Sequence, residues 1–201
     1  MDRLARTTFM LLLAGIVASC GAGEEEEVPA EVQEAVIAIG SSASDALLHT
    51  LMANLTAAMQ ENGAAGAIEF CSTSASGLTA EVVREVGVDM KRTSLRYRNP
   101  ANAPDEQEIK ALRHFQSVLS ETGQLPGPLV LKAGRDEYRF YRPLTLAPPC
   151  LRCHGSAGEV DPTVQAILDE RYPDDMATGY SAGDFRGVIR VSVPADRIGP
   201  T

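Results

Sequence analysis

Pro148-Pro149-Cys150-Leu151-Arg152-Cys153-His154-Gly155 reads C-x-x-C-H behind two prolines. That pattern is the attachment signature of a c-type haem. The spacing has a mechanical reason. On one helical turn, positions i, i+3 and i+4 share a face. The thiols of Cys150 and Cys153 can then each add to a haem vinyl group, and the imidazole of His154 points from the same face at the iron. Pro149 suits the first position of such a turn, where its missing N–H would have had no partner. Gly155 suits its end, where a residue without Cβ reverses the chain. C-x-x-C alone also describes a thioredoxin-like redox pair or half of a zinc site. A zinc site would want a second Cys or His pair, and a dithiol oxidoreductase would place the motif after a strand opening a βαβ unit. Neither pattern is present in the sequence.

Working outward, the flanks predict the frame that holds this turn. Upstream, Pro126 to Leu146 alternates apolar and polar residues on both sides of Gly134-Arg135-Asp136, as a β-hairpin does. Downstream, Asp161 and Pro162 open a helix to Arg171, and Gly187 to Pro194 is a strand rich in β-branched residues. Asp105 caps a helix running to about Glu121, with Ile109, Leu112, Phe115, Val118 and Leu119 inward. Met90 to Asn99 alternates like a half-buried strand. Ala64 to Gly87 reads as one or two short helices, broken near Gly77, with Thr79 as the second cap. From Pro29 to about Asn62, Val32, Val36, Ile39, Ala43, Leu47, Leu51, Leu55 and Met59 recur every three or four residues. Gly63 closes that long helix, and Gly40-Ser41-Ser42 is a candidate kink. The expected fold is α+β: a small antiparallel sheet, flanking helices and a long N-terminal helix.

The first residues read as a processing segment. Arg3 and Arg6 precede a short apolar run from Phe9 to Val17, and Val17-Ala18-Ser19-Cys20 resembles a bacterial lipobox. The expectation is a lipoprotein signal over residues 1–19, an acidic tether over 20–28 and one domain over 29–201. Cys20 would carry the lipid and leave the protein in the cell envelope. Ala22 is not the Asp that retains many lipoproteins in the inner membrane, which points to the periplasmic face of an outer membrane. The chain has four cysteines. With Cys20 lipidated and Cys150 and Cys153 on haem, Cys71 is left without a disulfide partner in an oxidising compartment. A formal charge of −9 argues against nucleic acid as a partner, and 44% hydrophobic residues suffice for a packed core.

Several ordered stretches carry a resemblance. They are Ala67 to Thr73, Arg92 to Pro100 with Asn102-Ala103-Pro104, Cys150 to Gly155, and Ala177-Thr178-Gly179-Tyr180 with Gly183 to Gly187. Together they resemble the Tll0287-like haem c domain family, over roughly Val32 to Pro194. The resemblance implies a PAS-like α+β fold around one covalent haem c. It also implies axial ligation by His154 and by the thiolate of Cys71. Members occur as stand-alone exported proteins and as sensor domains, so a redox partner protein or a signalling partner is expected.

Other candidates are weighed against these. Met90, Met176, His49 and His114 are rival ligands, ranked together below Cys71, His49 and Met52 lie on the long helix, and the lesser reading of Cys71 is a buried inert thiol. Arg92, Arg96 and Arg98 form a basic row suited to haem propionates, or simply a solvated strand face. Tyr97, Phe115 and Tyr141 are candidate pocket walls, and Asp184 with Arg186 a structural pair. No catalytic constellation is readable, so an enzyme is not expected. Electron transfer is the first reading, because filled axial positions leave no site for substrate. A haem-based redox or diatomic-gas sensor acting through a partner is the second.

Overall fold

The last strand organises the molecule. Phe185–Pro194 (β4) lies between Asp89–Thr93 (β1) and Glu137–Thr145 (β3), and Leu129–Lys132 (β2) pairs with the far side of β3. All three pairings are antiparallel. The computed structural model describes residues 27–199. The expected signal peptide, most of the acidic tether and Cys20 lie outside the described residues. The helices are Ala30–Thr73 (α1), Ala75–Val86 (α2), Glu106–Thr122 (α3), Leu151–His154 (α4) and Pro162–Arg171 (α5). The architecture is therefore α+β, with a four-stranded antiparallel sheet and a long N-terminal helix.

Period-two alternation decides what covers each face of the sheet. Ile189, Val191 and Val193 of β4, with Met90 and Phe140, meet Val36, Ala43, Leu47 and Leu51 of α1. Val188 and Tyr141 face the other way, against Ala111, Leu112 and Phe115 of α3. Both faces being covered, β4 is buried along nearly its whole length, as a strand of β-branched residues requires. The length and apolarity of α1 would suffice to cross a bilayer, but its apolar stripe lies on the sheet.

Several sequence expectations need correction. Gly40 is no kink. A Cβ there would stand 2.2 Å from Cγ of Phe140, so the glycine lets helix and sheet approach. The break in α1 falls at Asn62–Gly63, where Gly63 adopts φ 60° and ψ −155°; this is the stop expected at Gly63, followed by more helix. Gly77 breaks nothing. The junction is Ser74, and Thr79 is no cap, because its hydroxyl donates back to the Ala75 carbonyl inside α2. The strand expected over Met90 to Asn99 stops at Thr93. Ser94 Oγ accepts the Arg96 N–H at 3.1 Å and turns the chain off the sheet. The hairpin, the Asp105 cap and the Asp161–Pro162 helix start lie where the sequence puts them.

Candidate functional site

Where α1, α2, the chain after β1, the C-x-x-C-H turn and the start of β4 meet, they enclose a cavity of about 330 Å³. Cys71, Arg92, Arg98, Cys150, Cys153 and His154 all line it. The turn is built locally. Pro148–Cys150 form a 3-10 turn capped by Ala147, and Leu151–His154 continue it as α4. Gly155 ends it at φ −67°, not in the left-handed region. Glycine is needed there for closeness, since a Cβ would meet the Leu151 carbonyl at 2.6 Å. Cys71 reaches the same cavity from the last turns of α1. The break at Gly63 redirects residues 64–73, and Ile68 then packs with Val160, Val164, Leu168 and Tyr172. Arg171 Nη2 pins the same segment through Glu69 at 2.6 Å. Of the stripe Ile68, Cys71 and Ala75, the two outer residues are buried in packed clusters and the thiol between them faces the cavity.

His154 is held by hydrogen bonding. Its Nδ1 stands 2.6 Å from the Ala177 carbonyl oxygen. A carbonyl only accepts, so Nδ1 carries the proton and Nε2 keeps a free lone pair, the form a metal ligand needs. Tyr180 packs edge-on, centroid to centroid at 6.4 Å. Burial, then repulsion by Arg98 and Arg186, pushes the imidazole pKa down to about 3. Burial pushes the Cys71 thiol up, while Arg92 and Arg98 pull it back. The same proximity acts in reverse on Arg92, whose pKa is lowered by burial and raised by Cys71 and Tyr172.

The other candidates separate by place. Arg98 is a clamp rather than a free propionate partner. Its Nε donates to Asp175 Oδ2 at 2.9 Å and its Nη2 to the Cys153 carbonyl at 2.5 Å. Arg96 is likewise engaged, donating to the Met176 and Thr178 carbonyls and stacking on Tyr180. Arg92 lines the cavity and has no carboxylate partner among the described residues. Arg186 was read from the sequence only as a structural partner of Asp184, and its place at the cavity was missed. Asp184 accepts from Ser181 N–H instead of pairing with it, and Arg186 lines the cavity with a contact to the Arg96 carbonyl at 3.0 Å. The signal was its place in the Gly183 to Gly187 stretch. Tyr97 does line the cavity, but Phe115 and Tyr141 belong to the core behind the sheet. Met90 is in the core, Met176 is 38% exposed, and His49 and His114 lie on the surface. Met52 and Met59 of α1 do reach the cavity wall.

These residues fit the group that C-x-x-C-H implies. Two thiols and an imidazole come from one turn. Leu48, Leu51 and Leu55 of α1, with Leu144 and Val188 of the sheet, supply apolar wall, and Arg92 and Arg186 supply positive charge for two carboxylates. Comparison with known proteins agrees with the architecture. The family model for Tll0287-like proteins matches residues 23–194. The crystal structure of the cyanobacterial heme-protein Tll0287 has the same fold, with a TM-score of 0.59 at 21% identity, over 84% of this chain and 97% of that one. No curated protein sequence matches.

Proposed function

The chain belongs to the Tll0287-like family, and from that premise we propose that it is a haem protein, an exported c-type cytochrome that transfers electrons. The observation that carries this reading is the meeting of Cys150, Cys153 and His154 with Cys71 at one cavity. Cys150 and Cys153 would hold the haem by thioether bonds. His154 would bind through Nε2, its other nitrogen being engaged by Ala177, and Cys71 would bind as thiolate. The bound haem supplies a one-electron Fe(III)/Fe(II) couple. The protein's part would be to supply the imidazole and the thiolate as iron ligands, exclude water with the α1 wall and set the charge around the site. Arg92 balances the thiolate of Cys71, and Arg92 and Arg186 are placed for the propionates. An anionic sulfur ligand favours the ferric state and a low potential.

The test is Cys71→Ala in protein matured by a cytochrome c assembly system. Haem should stay covalently attached, as shown by colour that survives denaturation. The ferric spectrum should turn high-spin or show water as ligand, and the potential should rise. A Cys71→Ala spectrum identical to wild type would assign the position to another residue.

One observation favours the sensor reading as an alternative. Met52 and Met59 share the cavity with Cys71. A neutral thioether suits ferrous iron better than a thiolate does, so reduction could exchange the ligand and signal to a partner protein. A change of ligand signature on reduction that Met52→Leu or Met59→Leu abolishes would support it. Export and anchoring through Cys20 complete the proposal, and intact-mass analysis for a diacylglyceryl adduct on Cys20 tests that part.

A further inference from the structure

We propose that Arg98 and Asp175 are positioning residues for His154, acting as one unit through the backbone N–H and carbonyl of Ala177. The inference rests on the haem reading above and deepens it. The His154 Nδ1–H donates to the Ala177 carbonyl at 2.6 Å. The N–H of that same residue, Ala177, donates to Asp175 Oδ1 at 2.7 Å. Asp175 Oδ2 takes Arg98 Nε at 2.9 Å. Arg98 Nη2 closes the circuit on the Cys153 carbonyl at 2.5 Å, and lies 3.4 Å from the Ala177 oxygen. The ion pair is nearly dry, with side chains 12% and 9% exposed, so its geometry is tightly held. One guanidinium thus ties the attachment turn to the segment that orients the imidazole. Backbone bonds from Gly179 N–H to the Gly155 carbonyl at 2.7 Å and from Tyr180 N–H to the His154 carbonyl at 2.9 Å flank it.

The arrangement acts on His154 in two ways. It fixes the plane of the ring. It also sets how strongly the Ala177 oxygen attracts the Nδ1 proton, because the Arg98 Nη2–H directed at that oxygen from 3.4 Å draws on its electron density, a contact that only the guanidinium fork can make together with those to Asp175 and Cys153. A weaker acceptor leaves the imidazole less anionic and a poorer donor to iron. Loss of the fork should therefore strengthen donation and favour the ferric state.

The experiment uses matured holoprotein and the variants Arg98→Lys, Asp175→Asn and the double. Arg139→Lys serves as control, since Arg139 pairs with Asp105 and Glu137 on the far side of the sheet. Arg98→Lys keeps the charge and loses the fork. Each single variant should retain covalent haem and wild-type far-UV circular dichroism, yet shift the ferric EPR g-values. Arg98→Lys should also lower the midpoint potential. The double should move the g-values no further than the larger single change, and Arg139→Lys should match wild type. Haem-bearing single variants with wild-type g-values and potential overturn the inference, as do shifts that add in the double or appear equally in Arg139→Lys. Should a variant fail to accumulate, wild type decides by NMR. Its His154 Nδ1–H must exchange slowly with solvent, and exchange as fast as a free imidazole's overturns the inference. Wild type that lacks covalent haem sinks the haem reading itself, a result distinct from all of these.

Discussion

A methyl group at position 40 has nowhere to go, because the Phe140 ring already occupies its place at 2.2 Å. Replacing a mid-helix glycine by alanine ordinarily stabilises by about 1 kcal/mol. Here overpacking, at about 1–3 kcal/mol, should win, so Gly40→Ala should lower the thermal midpoint and Phe140→Leu should restore part of the loss. A rise in the midpoint on Gly40→Ala alone would refute the packing argument. Glu108 is the second sensitive residue. It is fully buried and accepts from Lys91 Nζ at 2.7 Å and Arg190 Nε at 3.2 Å. Glu108→Ala removes the buried carboxylate between two cations and leaves Lys91 only the Ala103 carbonyl and Arg190 only Asp89 and Ser192, which should cost about 3 kcal/mol, read as a lower urea midpoint. Neither role was legible in the sequence. Phe140 lies far along the chain from Gly40, and Glu108 reads there only as a polar residue in the first turn of a helix. The C-x-x-C-H residues were legible because their chemistry needs only neighbours four residues apart. Arg98 was seen but given to the propionates, since its carbonyl partners exist only once residues 153 and 177 are brought together.

At the scale of elements, local signals fixed where helices begin, and tertiary contacts fixed where several elements end. Asp105 caps the start of α3, which was readable because a cap needs only the residue next to its helix; the box it completes with Glu108 is a finding of the structure. The end of β1 was not readable. Alternation continues to Asn99, but the Ser94 turn and the demands of the C-x-x-C-H loop take the chain off the sheet after Thr93. The cap has a testable acid limb. Burial raises the Asp105 pKa, but hydrogen bonds from the Glu108 N–H and Arg139, with the nearby positive charge, outweigh it and leave the group below its ordinary value of 3.8. A depressed folded pKa means the stabilisation is complete above that ordinary value and is lost as pH falls through the folded one. Asp105→Asn keeps a capping oxygen but removes the charge and its pairing with Arg139, so it should flatten the acid limb of a stability-versus-pH curve and lose at neutral pH about what that limb costs the wild type. Asp105→Ala should flatten it and lose about 1 kcal/mol more at pH 7. An acid limb unchanged in Asp105→Asn would show that other carboxylates set it.

For the whole molecule, the apolar clusters divide into two kinds. Those of α1 and α3 close the two faces of the sheet and need nothing else. The clusters around Ile68, Val164 and Leu168, and around Leu146, Ala177 and Tyr180, are smaller and border the cavity. They are held to the sheet by Arg96, Arg98 and Arg186 through main-chain carbonyls. Without haem, that second group surrounds a cavity lined by a half-buried imidazole, a half-buried thiol and two arginines that have no carboxylate partner among the described residues. Polar groups walled in this way are costly, so the bordering segments should open at lower free energy than the sheet. A cofactor bound only by the closed form stabilises that form. Apo protein, made in a host without haem attachment machinery, should therefore show two tiers of amide exchange. Residues of β3, β4, α3 and the first part of α1 should stay protected, while 64–73 and 150–180 exchange fast. Holoprotein should protect both tiers, and Cys71→Ala holoprotein should loosen 64–73 selectively, because the attachment turn keeps its own bonds. Apo amides at 64–73 and in α5 that are as slow as those of β4 would mean that the cavity is preformed and that haem attachment adds nothing to the fold.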